Sequence, residues 1–182
     1  MDGIRQNPND IAMIRPDLAG LVRPQAPDGY TLRPFHTGEE AAWADLLAAT
    51  FPEMPEPQSI PRKEFLRASI WQPGRIFFAC KDNVPVACAT AWEHAHIWGP
   101  KSGIVHWVAT HPDHRGRGLA RAVVLAAMNW MRTTGYESAI LVTQIQRLPA
   151  IRLYLGLGFR PHLAAFPEMA ERWAKVEADL RL

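Results

Sequence analysis

The stretch that decides the fold reads His111-Pro112-Asp113-His114-Arg115-Gly116-Arg117-Gly118-Leu119-Ala120-Arg121. An apolar run, residues 104–110, precedes it, and a long amphipathic run, residues 119–131, follows it. This order predicts a strand, then a short basic loop with glycines, and then a helix.

The loop has the features of an anion-binding site. Gly116 and Gly118 lack a Cβ, so a ligand can approach the main chain closely and unusual φ values are tolerated. The first amides of the following helix have no intrahelical acceptor, and the helix dipole adds positive potential there. Arg115, Arg117 and Arg121 add formal charge. Together these features predict a bound phosphate or pyrophosphate.

The spacing of the loop excludes two common phosphate-binding motifs. A Walker-type loop needs Lys-Ser/Thr after its last glycine, and none follows Gly118. A dinucleotide fingerprint needs a third glycine where this chain has Arg121. What remains is Arg-x-x-Gly-x-Ala at Arg115, Gly118 and Ala120. With its His-Pro-Asp lead-in, it resembles the acyl-CoA pyrophosphate loop of the GNAT superfamily of N-acyltransferases.

A second segment, residues 147–159, resembles the later motif of the same superfamily. There a short helix carries a tyrosine four residues after a small residue, here Tyr154 after Ala150. Gly158 suits a position just past the helix end, with Phe159 returning to the core. The two motifs lie about one strand–helix–strand unit apart, as in that superfamily.

The resemblance implies an α/β fold of the mixed α+β kind: a GNAT-like, twisted mixed sheet of six to seven strands with helices on both faces. Residues 29–182 are expected to form a single acyl-CoA N-acyltransferase domain. Residues 1–28 contain four prolines among polar residues without lasting periodicity, which predicts an N-terminal arm that is flexible or loosely docked. Its apolar residues could dock on the domain or on a neighbouring subunit.

The segment before the motifs predicts two helices and a hairpin. A first strand at residues 30–35 leads to a helix ending near Thr50, with Thr37 and Glu40 placed as a capping box. A proline-rich loop and a second helix, residues 62–71, follow. In the superfamily these helices and their linker line the acceptor pocket. The residues that this segment offers are Phe51, Glu53, Met54, Glu56, Phe65 and Trp71.

The two cysteines flank the predicted hairpin. With a two-residue turn at Asp82-Asn83, Cys80 faces Pro85 and Cys88 faces Phe77, so the cysteines are not partners. A different register could pair them. Reduced, buried thiols in a cytoplasmic protein are the expectation.

The resemblance also assigns the binding of the acyl-CoA, with acetyl-CoA as the expected co-substrate. The strand before the glycine loop and the strand after the main helix splay apart, and the pantetheine arm lies between them. Main-chain groups of the first strand would hold the arm, and the loop amides would hold the pyrophosphate. The residues implied are Val108, Ala109, Thr110, Arg115, Gly116, Arg117, Gly118, Leu119 and Ala120.

Acyl transfer to an amine needs a neutral amine, stabilisation of negative charge on the thioester oxygen, and a proton for the departing thiolate. Tyr154 stands where the superfamily's tyrosine lies beside the sulfur and is the expected acid. The glutamate that several members carry aligns with Ile104, which cannot accept a proton. His106, on the same strand face, and Glu93, on the neighbouring strand, are the candidate bases. Arg147 replaces a frequent asparagine, a change expected to alter contacts to the CoA arm or a nearby loop.

Composition and sequence features argue against several other classes of protein. A net charge of +2 is too small to indicate a nucleic-acid partner, and no apolar run approaches the length of a membrane span. The start lacks the features of a secretory signal, which favours a cytoplasmic location. His94 and His96 share a strand face, but no complete metal-ligand set is present, so no metal is expected.

The leading function is an N-acyltransferase that moves acetyl from acetyl-CoA to a primary amine of a small molecule or peptide by direct attack. The main alternative is a catalytically weak acyl-CoA-binding sensor or partner module. A third, acylation of an aminoacylated RNA, lacks an extended basic face. A homodimer is compatible with an apolar stripe at Met169, Trp173, Val176 and Leu180, which otherwise predicts core packing.

Overall fold

The computed structural model of the chain describes residues 7–54, 56–61 and 73–181. The strands are β1 (Asp10–Arg15), β2 (Thr31–Pro34), β3 (Ile76–Lys81), β4 (Val84–Glu93), β5 (Ser102–Thr110), β6 (Ser138–Gln144) and β7 (Arg160–Pro161). The helices are α1 (Glu40–Thr50), α2 (Ala95–Trp98), α3 (Leu119–Thr133), α4 (Leu148–Gly156) and α5 (Met169–Leu180). Short 3₁₀ turns lie at Pro57–Ser59, Pro73–Arg75 and Pro112–His114.

The strands form one mixed sheet in the order β2-β3-β4-β5-β6-β1-β7. Neighbouring strands are antiparallel except β5 and β6, which are parallel. This confirms the predicted mixed sheet of six to seven strands.

Helices pack on both faces of the sheet because side chains of a strand alternate between the faces. On one face, Ala87 and Ala89 of β4 share a core with Val123 and Met128 of α3. On the other face, Cys88 shares a second core with residues of α1. The main helix and α1 therefore lie on opposite sides of the sheet.

The N-terminal segment differs from its prediction. Residues 10–15 are strand β1, which pairs antiparallel with β6 along its whole length and with β7 on its other edge. Ile11 and Met13 have no exposed surface. The expectation of a loosely docked arm is wrong for these residues, because an apolar strand inside a sheet is fixed on both edges and both faces. The stripe on α5 packs in the same core, so its core interpretation is confirmed.

The hairpin follows its prediction with one shift of register. Asp82 and Asn83 form the two-residue turn with φ of 48° and 66°, the left-handed conformation that a tight hairpin turn requires. Cys80 faces Pro85 as predicted, but a bulge beyond it makes Cys88 face Phe78 instead of Phe77. Both cysteines are buried and free.

Helix α1 starts differently from the predicted capping box. Its N-cap residue is Glu39, and no side chain caps the helix. Arg33 binds the Glu39 carboxylate through two nitrogens, at 2.8 and 2.6 Å, and this pairing lowers the pKa of Glu39. The prediction that Thr37 caps the helix is therefore wrong, because the ion pair between Arg33 of β2 and Glu39 orders this turn instead. The predicted second helix, residues 62–71, lies outside the described residues, together with Phe65 and Trp71.

Candidate active site

Strands β5 and β6 separate part-way along their length. They pair at Ser102 with Ser138, at Gly103 with Ala139 and at Ile104 with Ile140, and no further. Beyond that point β6 continues to pair with β1, and β5 with β4. The predicted splay between these two strands is therefore present.

A bulge in β5 accompanies the separation. Trp107 has a φ of 48°, and the register between β4 and β5 shifts between Cys88 and Thr90. A left-handed conformation is costly for a residue with a side chain. The Trp107 carbonyl accepts a hydrogen bond from the Cys88 thiol at 3.2 Å, which helps to hold the bulge.

The glycine loop, residues 115–121, presents free backbone donors. Gly118 is the N-cap residue of α3 with a φ of 78°, and the first helical bond runs from the Ala122 amide to its carbonyl at 3.1 Å. Within the described part of the chain, the amides of residues 116–121 donate to no backbone carbonyl. Such a row of unpaired amides at a helix start favours an anion.

The loop arginines point in different directions. Arg115 donates to the Thr110 carbonyl at 3.3 Å and lines the cavity described below. Arg117 instead donates to the Tyr30 hydroxyl at 2.8 Å and to the Asp113 carbonyl at 3.3 Å. Only the backbone amide of Arg117 is therefore available to the predicted cofactor site.

A cavity of about 610 Å³ opens between the separated strands. Eight of the nine residues predicted to bind the cofactor line it, Arg117 being the exception. The cavity begins at the start of α3 on one face of the sheet. It reaches Thr50 and Phe51, at the end of α1, on the other face. It therefore runs through the gap in the sheet.

Tyr154 projects from α4 into this cavity. The residue is 6% exposed, and its ring meets Phe159 edge-on at 5.9 Å between centroids. Burial raises the pKa of Tyr154 to about 12, and the positive charge of Arg147 acts in the opposite direction. The phenol is therefore protonated at neutral pH and can donate a proton.

The two candidate bases, His106 and Glu93, lie on opposite faces of the sheet. His106 is half-buried on the α1 side of the sheet, opposite Thr90, with its ring 4.9 Å from that of Trp107. Burial, with a smaller contribution from His94, lowers the pKa of His106 to about 4, so its imidazole is neutral at pH 7.

Glu93 faces the α3 side of the sheet. Its carboxylate accepts a hydrogen bond from the Tyr136 hydroxyl and lies 3.6 Å from the Arg75 guanidinium. Neither His106 nor Glu93 lines the cavity as the described residues define it.

The sequence predicts only some of the residues that line the cavity. Phe51 and Glu53, from the predicted acceptor segment, line the cavity, whereas Met54 packs against the α1-side core. Arg147 pairs with Glu53 of the loop after α1 at 3.3 Å; the expectation that it alters contacts to the CoA arm or a nearby loop stays a prediction. Thr143 was missed, because no motif marks a strand residue that faces a gap.

In residues 7–54, 56–61 and 73–181, no three His, Cys, Asp or Glu side chains are grouped so as to hold a metal ion. Among the helices in those same segments, none combines the length and the apolar character needed to cross a bilayer.

Comparison with known proteins agrees with this geometry. The model of the Acetyltransferase (GNAT) family matches residues 41–159. The chain therefore belongs to the GNAT family.

Relatives and solved structures extend the comparison. The chain is 33% identical over 153 residues to mycothiol acetyltransferase of Thermobispora bispora, covering 81% of this chain and 52% of that protein. The chain is also 33% identical over 138 residues to the mycothiol acetyltransferase of Thermomonospora curvata, and this match covers 73% of this chain and 45% of that protein. The chain thus spans about half the length of the curated relatives it matches.

Among solved structures, the fold is similar to a GCN5-related N-acetyltransferase from Sphaerobacter thermophilus. The TM-score is 0.66 at 22% identity, over 84% of this chain and 48% of that one. It is also similar to the ribosomal-protein-S18-alanine N-acetyltransferase of Escherichia coli, with a TM-score of 0.59 at 17% identity. This match covers 72% of this chain and 77% of that one. At these identities the likeness concerns the fold alone.

Proposed function

We propose that the chain is an acyl-CoA-dependent N-acetyltransferase that transfers acetyl from acetyl-CoA to a primary amine of a small molecule. The observation that carries this proposal is the row of unpaired amides at residues 116–121, which opens into a cavity between two separated strands. A pyrophosphate fits the amides, and an extended arm fits the unpaired edge of β5. Membership of the GNAT family supports the same reaction.

Each part of the site has a role in this reaction. The main chain of Val108, Ala109 and Thr110 holds the pantetheine arm, and the amides of the glycine loop hold the pyrophosphate. The thioester supplies the activated acetyl group. The amine nitrogen bonds to the acetyl carbon as the carbon–sulfur bond breaks, and Tyr154 protonates the departing sulfur. His106, which lies behind the cavity wall, accepts the proton that the amine loses through an intervening water.

The assignment of base favours His106 over Glu93 on geometric grounds. His106 lies on the α1 side of the sheet and contacts Trp107, whose ring meets Phe51 of the cavity wall at 6.5 Å. Glu93 is held by Tyr136 and Arg75 on the other side. The amine would reach the thioester from the α1 side, because the glycine loop occupies the opposite end of the cavity.

The names of the relatives bear on the acceptor, and the buried thiols bear on the compartment. The two relatives compared above are named for mycothiol, which favours a small-molecule acceptor over a peptide. The free, buried thiols of Cys80 and Cys88 suit a reducing compartment such as the cytoplasm.

The test is an amine screen with the purified chain and acetyl-CoA. The amines are amino sugars, amino-acid amides, polyamines and short peptides, and acetylated products are detected by mass spectrometry. We expect product from at least one small amine, and none without protein. Binding of acetyl-CoA without transfer to any amine would instead favour the acyl-CoA-binding module. Absence of both binding and transfer would contradict both functions.

A further inference from the structure

The cavity has two chemically different ends. At the α3 side it ends in the glycine loop, whose amides and Arg115 suit a phosphate. At the α1 side it is lined by Thr50, the last residue of α1, and by Phe51 and Glu53, which follow that helix on the opposite face of the sheet. If the phosphate end of an acyl-CoA lies at the loop, its acyl group points toward the α1 side.

Arg147 lines the α1-side end of the cavity. Its Nη2 lies 3.3 Å from Glu53 Oε1, and its guanidinium carbon is 4.9 Å from the centre of the Phe51 ring. Its Nε also donates to Gln144 Oε1 at 3.2 Å. These contacts join the loop after α1 to the β6–α4 connection across the cavity, so Arg147 spans the two walls.

We propose that Arg147 is a specificity-determining residue that restricts the transferred acyl group to acetyl. The proposal rests on the N-acetyltransferase function proposed above and names the acyl group of that same site. Tyr154, the proposed proton donor to sulfur, follows Arg147 by seven residues, and both line the cavity. An acyl chain that extends beyond the thioester toward the α1 side meets the Arg147–Glu53 pair.

The chemistry of this end opposes longer acyl chains. Methylene groups offer no hydrogen bonds in place of those that the guanidinium and the carboxylate make with each other and with water. The walls further in are apolar, with Val108, Pro149 and Leu153, so a short acyl group meets no such cost. Pocket contacts of one methylene change relative rates by roughly 10- to 200-fold, enough to separate acetyl from butyryl.

The experiment compares kcat/KM for acetyl-, butyryl- and hexanoyl-CoA in the wild type, Arg147→Ala and Arg152→Ala. Arg152 is the matched control because it lies on α4 and its Nη2 donates to the Leu180 carbonyl at 3.3 Å, outside the cavity. We expect the wild type to prefer acetyl over butyryl by about tenfold or more. Arg147→Ala should reduce that ratio about tenfold through a higher kcat/KM for butyryl-CoA, and Arg152→Ala should preserve it.

Other outcomes would overturn the proposal. An equal loss of rate with all donors in Arg147→Ala would indicate a structural role, and an unchanged ratio would exclude the residue from acyl selection. Failure of the proposed function is recognised separately, because the wild type would then transfer no acyl group. In that case titration calorimetry with acetyl- and butyryl-CoA gives the ratio of affinities, and the same change in Arg147→Ala is expected.

Discussion

Ile104 of β5 and Ile140 of β6 form the last pair of the only parallel ladder in the described part of the sheet. Among the described residues, β5 pairs from this point onward only with β4, and its edge toward β6 has no strand partner. Such an edge offers main-chain donors and acceptors to an extended ligand. The position of this pair therefore sets where the two strands separate.

Tyr154→Phe should lower kcat by about 10²-fold with little change in the KM for acetyl-CoA, since general-acid catalysis contributes roughly 10²- to 10⁴-fold. The ring and its packing on Phe159 remain, and only the proton donor is lost. Because burial raises the pKa of Tyr154 to about 12, the wild-type rate should show no loss from ionisation of this phenol between pH 7 and 10.

Steady-state kinetics on Tyr154→Phe and on Tyr136→Phe test this role. The Tyr136 hydroxyl donates to Glu93 away from the cavity, so Tyr136→Phe is the control for loss of a phenol. Equal rates for Tyr154→Phe and the wild type would show that another group protonates the sulfur.

The depressed pKa of His106 makes stability depend on pH. The folded-state pKa is about 4, against an ordinary value of 6.5. Between these values the unfolded chain binds a proton that the folded chain does not. The free energy of unfolding should therefore fall as the pH drops from 6.5 to 4.

Urea unfolding of the wild type and of His106→Gln at pH 7 and pH 4.5 measures this dependence. His106→Gln should lose less stability over the interval than the wild type. A wild-type loss no larger than that of His106→Gln would contradict the assignment.

Strand β1 should be essential to the fold. Met13 is fully buried, and Met13→Ala should lower the free energy of unfolding by about 2–5 kcal/mol through lost burial and a cavity. Val22, in the same N-terminal segment, is 57% exposed. Val22→Ala should therefore change the free energy of unfolding by less than about 0.5 kcal/mol. Chemical denaturation of both variants measures these changes. Two equally small losses would contradict the prediction, because they would indicate a loosely docked arm.

The parts of the fold that sequence alone predicted are those specified by neighbouring residues. Residues 104–131 combine an apolar run, a glycine loop and an amphipathic run, and they form the strand, loop and helix that were predicted. The turn at Asp82-Asn83 likewise needs only two residues that tolerate positive φ.

The parts that sequence missed depend on distant partners. Strand β1 is too short to show a period, and its partners on β6 lie more than a hundred residues away in the chain. The pair of Arg147 with Glu53 spans 94 residues, and no local pattern reports it. The bulge that moved Cys88 by one position also depends on pairing, since its cause lies in the register of β4 with β3.

The binding of an acyl-CoA by the glycine loop is tested most directly by isothermal titration of the wild type and Gly118→Val with acetyl-CoA. Of the described residues, a Cβ at Gly118 would meet only Pro27, whose Cγ lies at 3.8 Å, but the φ of 78° is strained for valine. The loop should therefore move and its amides lose their alignment. Gly99, with a φ of 87° and open space around it, provides the control Gly99→Val.

We predict that the wild type and Gly99→Val bind acetyl-CoA alike, and that Gly118→Val binds it at least about tenfold more weakly, a loss of about 1.4 kcal/mol. Equal affinity in Gly118→Val, or no binding by the wild type, would contradict the claim that this loop holds an acyl-CoA.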